Sequence, residues 1–352
     1  MRDQFTKSLA AVYSQYLAPT TFLKAFFPSE TVPTKLISIE VERLGEKVAV
    51  DVLRGTEGNR NTFSKSTEKA FEPPFYREYF DATELDVYDQ VLGAQLAGLP
   101  RPEMFGMLTK TVSEKLSKLQ DKIERAYELQ RAQVLLDGIV TVETDTNIDY
   151  KRKAASKVVT TDGAIFGSNA GYWNTSIDPI AQLEIGAHFL RTVGRSGSSR
   201  FALICGEGAL AALLNNSDFQ SRTDNRRYNL DTIAAPVRNA EGSAYHGSIT
   251  VGSYVCDLWT YPQYYDHPDT GTSTAYISDE KVIMIPYNPS FIMRHAAVPQ
   301  LVGDPGQLPR QGEYVISDYV DQRRATHEFD ICSAGLAIPL GVDRIWTAQV
   351  IA

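Results

Sequence analysis

The chain has 352 residues, of which 43% are hydrophobic and 22% charged, and its formal net charge is −8. This composition is typical of a folded globular protein and excludes a disordered chain. No stretch reaches the roughly 18 apolar residues that a membrane span needs, and the N-terminus lacks a signal-like apolar run, so we expect a cytoplasmic protein with no membrane partner. The acidic balance argues against a protein that grips nucleic-acid phosphates over a broad face.

Residues 1–34 form an apolar N-terminal extension. They contain Pro19, Pro28 and Pro33, and the cluster Phe22-Leu23-Lys24-Ala25-Phe26-Phe27 lies between the first two. A segment this apolar must be covered, either by its own chain or by a neighbouring subunit. The extension is therefore a first indication of assembly.

The next segment alternates apolar and polar residues and predicts a long β-hairpin. The alternating positions are Ile37, Ile39 and Val41, then Val48, Val50 and Val52 after a break at Leu44-Gly45-Glu46. Residues 55–80 are rich in Gly, Asn, Pro and charges, which predicts an exposed loop and a returning extended arm.

The longest periodic segment runs from Glu103 to Asp137 and ends at a turn-forming Asp137-Gly138 pair. Core-facing positions recur every three or four residues, at Met104, Leu108, Val112, Leu116, Leu119, Ile123, Ala126, Gln130 and Val134. We interpret the other face as solvated; it carries Lys110, Glu114, Lys118, Lys122, Glu124 and Glu128. The pattern predicts one amphipathic helix of about nine turns that packs as a spine along a sheet.

The remaining elements are shorter. Residues 139–150 predict a second hairpin, and Asp178-Pro179 predicts the start of a helix that reaches about Val193, because Asp caps a helix and Pro fits its first position. The Gly- and Ser-rich residues 194–199 predict a hinge. A strand at 201–204, a helix at 209–214 and mainly β structure at 245–289 and 314–352 follow.

The best candidate for a chemical site is Gly206-Glu207-Gly208-Ala209-Leu210-Ala211, a G-x-G-x-x-A motif between a predicted strand and a predicted helix. Asp224 and Asp231 follow at the distance of a ribose-binding acid. A dinucleotide site also needs repeated βαβ units, which the later sequence lacks. We interpret the motif as a strand-to-helix turn, and a dinucleotide-dependent enzyme remains the alternative from another class.

No other pattern predicts a catalytic, cofactor-binding or metal-binding residue. The histidines stand singly, without an H-E-x-x-H pair; they are His188, His246, His267, His295 and His327. Cys205, Cys256 and Cys332 have no CxxC spacing, so we expect buried free thiols. We therefore expect no catalytic residue, no cofactor and no metal.

Taken in order, these stretches resemble the major capsid proteins of tailed phages, in particular the lambda-type group called phage capsid protein E. The 22–27 cluster is similar to the N-terminal signature of that group, and the 37–52 hairpin and the Gly55-x-x-Gly58 loop follow it. The same order continues through Trp173, Asp178-Pro179, the 201–214 strand and helix, His327-Glu328-Phe329, Ser333-Ala334 and Val350-Ile351-Ala352. The resemblance covers nearly the whole chain.

The resemblance implies an α+β fold of the Hong Kong 97 capsid type. Residues 1–34 would then be the N-terminal arm and 35–90 the extended β-hairpin loop. Residues 91–174 would be the peripheral domain, with its spine helix at 103–137, and 175–310 the axial domain. Residues 311–352 would return to the peripheral domain.

The implied function is that of a major capsid protein, not an enzyme, which assembles as hexamers and pentamers into an icosahedral shell around phage double-stranded DNA. A net charge of −8 suits a wall that does not adhere to DNA. The implied partners are a separate scaffolding protein, a portal and a decoration protein, with assembly in the host cytoplasm and a final place in the virion. An encapsulin-like nanocompartment shares the fold and remains an alternative.

One relative of this fold staples its shell with Lys-Asn isopeptide bonds, which raises the question of Lys65 and Lys69 in the extended loop. Such a bond needs a facing Asn and a buried carboxylate. The sequence places neither, so we do not predict this cross-link.

Overall fold

The computed structural model describes residues 21–41, 67–83, 101–142, 147–223, 237–238, 242–267, 270–298, 310–321 and 326–352. Its α-helices are α1 (Arg101–Leu136), α2 (Gly163–Phe166), α3 (Pro179–Thr192), α4 (Glu207–Asn215) and α5 (Ser217–Thr223). Short 3-10 helices occupy Phe22–Phe26, Ala154–Ser156, Gly167–Asn169 and Val342–Arg344. No helix in these ranges has both the length and the hydropathy needed to cross a membrane.

The strands in the first half of the chain are β1 (Ser29–Thr31), β2 (Ile37–Val41), β3 (Thr67–Phe71), β4 (Tyr76–Thr83), β5 (Ile139–Val140), β6 (Ile148–Asp149) and β7 (Lys157–Val159). Those in the second half are β8 (Arg200–Cys205), β9 (Val237–Arg238), β10 (Ala244–Val251), β11 (Tyr254–Thr260), β12 (Tyr264–Asp266), β13 (Ser273–Ala275), β14 (Lys281–Pro286), β15 (Phe291–His295), β16 (Val315–Asp321), β17 (Thr326–Ser333), β18 (Gly335–Pro339) and β19 (Trp346–Gln349). Helices and mainly antiparallel strands thus form the α+β fold that the sequence predicts.

Helix α1 is the predicted spine and begins two residues before its predicted start. Val112, Leu116 and Ile123 are buried along it, as the periodicity predicts. The helix ends where Gly138 takes a φ of +71°, a conformation that glycine adopts without strain. A Cβ at Gly138 would lie 2.4 Å from the side chain of Arg152, so the close packing there also requires glycine.

One part of the helix prediction is wrong. Glu124 and Glu128 were expected on the solvated face, yet both side chains are buried. Their burial follows from packing that the helical period cannot reveal, because the N-terminal segment and the residues before β16 cover this part of α1.

The largest sheet has the strand order β7-β19-β14-β8-β11-β10-β9 and separates two cores. Along β8, Ala202 and Ile204 belong to the core that contains α1. Phe201, Leu203 and Cys205 point to the other face, into the core formed with α3 and α4. A strand buried on both faces is continuously apolar, which explains why Phe201–Cys205 shows no alternation.

Helix α3 starts as predicted. The Asp178 side chain accepts the amide of Ile180 at 3.0 Å, and Pro179 is the first helical residue. Gly186 lets the helix approach the final strand closely, since a Cβ there would lie 2.8 Å from the ring of Trp346.

Two three-stranded sheets, β1-β15-β18 and β16-β17-β4, complete the body. Strand β1 joins β15 in parallel, and the other neighbouring strands in these sheets are antiparallel. Strands β17 and β18 lie beside α1, whereas β19 joins the seven-stranded sheet. The C-terminal strands therefore connect the spine with the large sheet.

The second predicted hairpin is confirmed, with β5 and β6 antiparallel. For the first hairpin, β2 pairs with β3, so Ile37 is opposite Phe71 and Val41 is opposite Thr67. Residues 48–52, the predicted partner strand, lie outside the described residues.

Candidate assembly site

The segment from Thr21 to Thr31 packs against its own chain. The side chains of Phe22 and Phe27 are buried. The ring centroid of Phe22 lies 5.3 Å from that of Trp259, and Phe27 stacks on Phe291 at 5.1 Å. The sequence left open whether this aromatic segment is covered by its own chain or by a neighbouring subunit. In the structure, its own chain covers Phe22 and Phe27.

A buried set of polar and charged side chains holds this segment on α1. We define the anchor cluster as Glu124, Glu128 and Arg131 of α1 with Thr21 and Lys24. Arg131 Nη1 donates to Glu124 Oε1 and Glu128 Oε2, at 3.0 Å each. The Thr21 hydroxyl donates to Glu128 at 2.6 Å, and Lys24 Nζ lies 3.5 Å from Glu124. Since the two carboxylates face two cations, the cluster carries no net charge.

Glu124 and Arg131 of the anchor cluster stay ionised at neutral pH. Burial raises the pKa of Glu124, but attraction from Arg131 and Lys24 and a hydrogen bond from Tyr314 outweigh it and leave the pKa below 4.5. For Arg131, burial lowers the pKa, and Glu124 and Glu128 raise it further than burial lowers it. Glu124 and Arg131 therefore each stabilise the ionised form of the other.

The same carboxylates join several parts of the fold. Glu128 also accepts the backbone amide of Leu23 at 3.0 Å. Burial and then the charge of Glu128 raise the pKa of Tyr261, which follows β11. Tyr314, just before β16, donates to Glu124. The cluster thus fixes the place where the N-terminal chain enters the body.

A second buried arginine lies at the end of α1. At the C-terminal end of α1, the carbonyls of Leu135 and Leu136 have no following helical turn whose amides could donate to them. The Arg152 guanidinium donates to both, at 2.8 and 2.9 Å. It also donates to the carbonyl of Ser156 at 2.9 Å and to Thr347 in β19 at 3.1 Å. Burial lowers the pKa of Arg152 to about 10. We call this arrangement the spine joint, because it connects the spine helix to the large sheet.

The ribbon of β2 and β3 is a two-stranded sheet with no third strand in the described part of the chain. Leu36, the residue before β2, is 49% exposed, and Phe75, in the connection from β3 to β4, is 50% exposed. An isolated two-stranded ribbon is marginally stable in water. The ribbon and the apolar side chains next to it therefore form a surface suited to a neighbouring molecule.

Helix α1 packs on one face of the β16-β17-β4 sheet. Phe80 and Phe329 stack at 5.3 Å on the covered face, where Lys115 of α1 lies over the Phe80 ring. Side chains alternate along strands, so the neighbouring residues point away from α1. We define this outer sheet face by Tyr79, Asp81, Tyr319 and Glu328.

The geometry around Gly206 rules out the dinucleotide interpretation. A Cβ at Gly206 would lie 2.4 Å from the Ser278 carbonyl oxygen, and one at Gly208 would lie 3.1 Å from the Asp279 carbonyl oxygen. The Ala209 amide, in the first turn of α4, donates to Asp279 at 2.8 Å. Residues 278–279 thus occupy the space that a pyrophosphate would need, and the glycines serve close backbone packing.

Three of the histidines contact different partners. His246 contacts Thr260 at 2.8 Å, His327 pairs with Asp318 at 3.2 Å, and His295 is buried against the Tyr127 ring. Within the described ranges, no three His, Cys, Asp or Glu side chains are grouped so that they could hold a metal ion.

The three cysteines are buried free thiols, as the sequence predicts. Burial raises the pKa of each, that of Cys332 to about 11, so none is an activated thiolate.

Three further sequence interpretations concern the Lys-Asn cross-link, the ribose-binding acids and the hinge. Lys65, Asp224 and Asp231 lie outside the described residues, and Lys69 is described only as a backbone position in β3 opposite Ile39. The predicted hinge at 194–199 is tied to the body at its first residue, because Arg344 donates to the Gly194 carbonyl at 3.3 Å.

The anchor cluster and the spine joint were missed by sequence reasoning. Glu124, Glu128 and Arg131 stand at i, i+4 and i+7, which places three charges on one side of a helix. This spacing was the available signal, although it also fits an exposed ion-pair row. Arg152 gave no signal, because its acceptors are mostly backbone carbonyls.

The sequence profile described as "Phage major capsid protein E" matches residues 5–350. Among solved structures, the chain is similar to the putative capsid protein of a prophage of Escherichia coli CFT073, with a TM-score of 0.63, 17% identity and coverage of 99% of each chain. A phage-related protein from Bordetella bronchiseptica RB50 gives a TM-score of 0.51 and 12% identity, covering 97% of this chain and 96% of that chain. An encapsulin complex from Synechococcus elongatus PCC 7942 gives a TM-score of 0.44 and 11% identity, covering 97% of this chain and 95% of that chain. Curated protein sequences yield no match.

The profile spans nearly the whole chain, and the solved structures show the capsid fold of the Hong Kong 97 type. The predicted resemblance and fold class are thereby confirmed, and the phage family takes precedence over the encapsulin alternative. The chain belongs to the phage major capsid protein E family and is a shell-forming protein of the phage head, not an enzyme.

Proposed function

We propose that the chain assembles through hexamers and pentamers into an icosahedral shell that packages the double-stranded DNA of a tailed bacteriophage. The observation that carries this proposal is the β2-β3 ribbon, which has no further strand of its own chain in the described ranges and lies beside the exposed Leu36 and Phe75. A neighbouring copy can cover this surface. When each copy contacts the next in the same head-to-tail way, the contacts close into a ring.

In this assembly, residues 1–34 act as the N-terminal arm and 35–90 as the extended loop. Residues 91–174, with α1, form the peripheral domain, 175–310 form the axial domain, and 311–352 return to the peripheral domain. The anchor cluster supports a refinement, because the arm is held on its own subunit from Thr21 onward.

The shell takes its place in the virion after assembly in the host cytoplasm, with a separate scaffolding protein, a portal and a decoration protein as partners. The family supports these roles, since a closed phage head needs control of its size and an opening for DNA.

The proposal is tested by particle size. The purified protein, with and without a candidate scaffolding protein, is examined by negative-stain microscopy and light scattering. We expect closed shells, or rings of five and six subunits. A small compact oligomer would overturn the proposal.

A pair of variants tests the ribbon surface. Leu36→Ser with Phe75→Ser removes the exposed apolar side chains, and we expect folded subunits that no longer form shells. The matched control is Lys35→Ser with Glu72→Ser, which removes an exposed ion pair of 2.7 Å in the same region. The control should form shells, because exposed pairs contribute at most about 1 kcal/mol. Normal shells from the first variant would contradict this role of the ribbon.

A further inference from the structure

The exposed face of α1 concentrates positive charge in a protein that is acidic overall. We define the basic stripe as Lys115, Lys118, Lys122 and Arg125, all of which are exposed. These residues lie within ten positions of one helix, which corresponds to about 15 Å along its axis. A chain with a net charge of −8 thus presents a local row of cations.

Most of this charge is available to a partner. Lys122 pairs with Glu78 at 2.8 Å. Within the described part of the chain, neither Lys118 nor Arg125 has a carboxylate within ion-pair distance, and Lys115 lies over the Phe80 ring, 5.3 Å from its centroid. Asp121, four residues before Arg125, is partly buried, and burial raises its pKa more than attraction from Arg125 lowers it.

The opposite side of the same layer has the opposite charge. On the outer sheet face, Asp81 and Glu328 lie next to each other on neighbouring strands. Arg77 is neutralised there by its ion pair with Asp330. In a wall one subunit thick, a helix packed on a sheet turns its exposed face to one side of the wall and the outer sheet face to the other.

We propose that the basic stripe contacts the phosphates of the packaged DNA, so that α1 faces the interior of the shell and the outer sheet face looks outward. This inference rests on the proposed function. Lysines are mobile point charges that neutralise phosphates without reading sequence. A stripe of about 15 Å spans about four successive phosphates of one DNA strand. The acidic remainder of the subunit confines the contact to α1.

The test measures binding of a 20-base-pair DNA duplex to the full-length, unassembled protein by fluorescence anisotropy. Three phosphate contacts predict about a fortyfold loss of affinity between 50 and 200 mM salt. We expect Lys115→Gln, Lys118→Gln and Arg125→Gln together to weaken binding at 50 mM salt at least tenfold and to flatten the salt dependence.

The matched control removes three exposed cations elsewhere, with Lys35→Gln, Lys151→Gln and Arg191→Gln. It changes net charge equally and should bind DNA like the unmodified protein. Equal losses in both variants, or no DNA binding by the unmodified protein, would overturn the proposal.

Light scattering on the same samples separates this inference from the proposed function. If the stripe variant binds DNA normally but forms no shells, the stripe is a contact between protein copies and the DNA assignment is wrong. If the unmodified protein forms no shells, the shell proposal itself fails. Shells from the stripe variant together with weakened DNA binding support both.

Discussion

The anchor cluster and the spine joint each bury an arginine against α1, but in different surroundings. Arg131 lies between two carboxylates, and their attraction raises its pKa despite burial. Arg152 contacts neutral oxygens, mainly backbone carbonyls, and burial lowers its pKa to about 10. Both guanidinium groups are nearly inaccessible to solvent.

The difference shows two ways to stabilise a buried cation. At the spine joint, the carbonyls at the end of α1 supply partial negative charge, so no counter-ion is needed. At the anchor cluster, the carboxylates of Glu124 and Glu128 stabilise the buried guanidinium with formal charges. Glu128 also accepts hydrogen bonds from Thr21 and Leu23, which belong to a segment distant in sequence. Formal charges make the anchor cluster sensitive to pH, whereas the spine joint is not.

Arg131→Met gives the largest expected effect. It leaves Glu124 and Glu128 buried without their shared cation, so we expect the free energy of unfolding at neutral pH to fall by about 4 kcal/mol. The deficit should narrow as pH falls toward 4.5, because the unpaired buried carboxylates of the variant then take up protons. It should narrow further below pH 4.5, where the unmodified protein loses the stability that its ionised Glu124 supplied, since the pKa of Glu124 is lower in the folded protein than in the unfolded chain.

The measurement is denaturant unfolding of dissociated subunits at several pH values. The control Glu114→Gln affects only an exposed pair with Lys110 at 4.0 Å and should change stability by less than about 1 kcal/mol. A deficit for Arg131→Met that does not change with pH would refute the ion-cluster account.

Arg152→Met should lower stability by about 3 kcal/mol, since several buried carbonyls lose their donor. Because no carboxylate is left unpaired, this loss should be the same from pH 5 to pH 8. Arg152→Lys keeps the charge but satisfies fewer acceptors, so its stability should lie between that of the unmodified protein and that of Arg152→Met. The same unfolding series tests this, and a strongly pH-dependent loss would erase the contrast between the two arginines.

His295 interacts electrostatically with the anchor cluster and gives a further pH-dependent prediction. Burial lowers its pKa to about 4, with Glu313, Glu124, Arg131 and Lys24 as the charged groups acting on it. The unfolded chain binds the proton near pH 6.5, so this histidine's contribution is complete above pH 6.5 and is lost as pH falls to about 4.

Over this range, unmodified protein should lose about 2–3 kcal/mol that His295→Gln does not lose. The control is His188→Gln, a change at an exposed position on α3. Parallel pH profiles for the unmodified protein and His295→Gln would count against a buried neutral histidine.

Thr21→Val has the smallest expected effect. It removes the hydrogen bond of 2.6 Å that the Thr21 hydroxyl donates to Glu128 and the longer one, 3.3 Å, that it accepts from Arg131. Leu23 and Arg131 still satisfy the Glu128 carboxylate, so we expect a loss of about 1 kcal/mol. Limited proteolysis near residue 21 should accelerate as the segment detaches more often. Unchanged cleavage and unchanged stability would show that the aromatic contacts alone hold the segment.

Local signals predicted several elements correctly. Asp178 and Pro179 marked the start of α3, the apolar period marked α1, and the turn after Asp137 marked its end. Each of these depends on residues within a few positions of one another, where capping and periodicity act directly.

Distant packing was not predictable in the same way. Thr21 and Glu128 are 107 residues apart, and the helical period cannot tell whether a carboxylate is solvated or covered by so remote a segment. The partner of β2 in the described ranges was also missed, because alternation shows that a strand exists and not which strand pairs with it.

The sequence by itself determined the family, the α+β class, the spine helix and the absence of a predicted catalytic motif, since motif order, composition and local periodicity are written directly in the chain. Only the tertiary structure decided that Glu124 and Glu128 are buried, that Arg152 joins α1 to the large sheet, and that the basic stripe and the outer sheet face lie on opposite sides. Burial and charge separation depend on which distant surfaces meet, and this is settled by packing over the whole subunit.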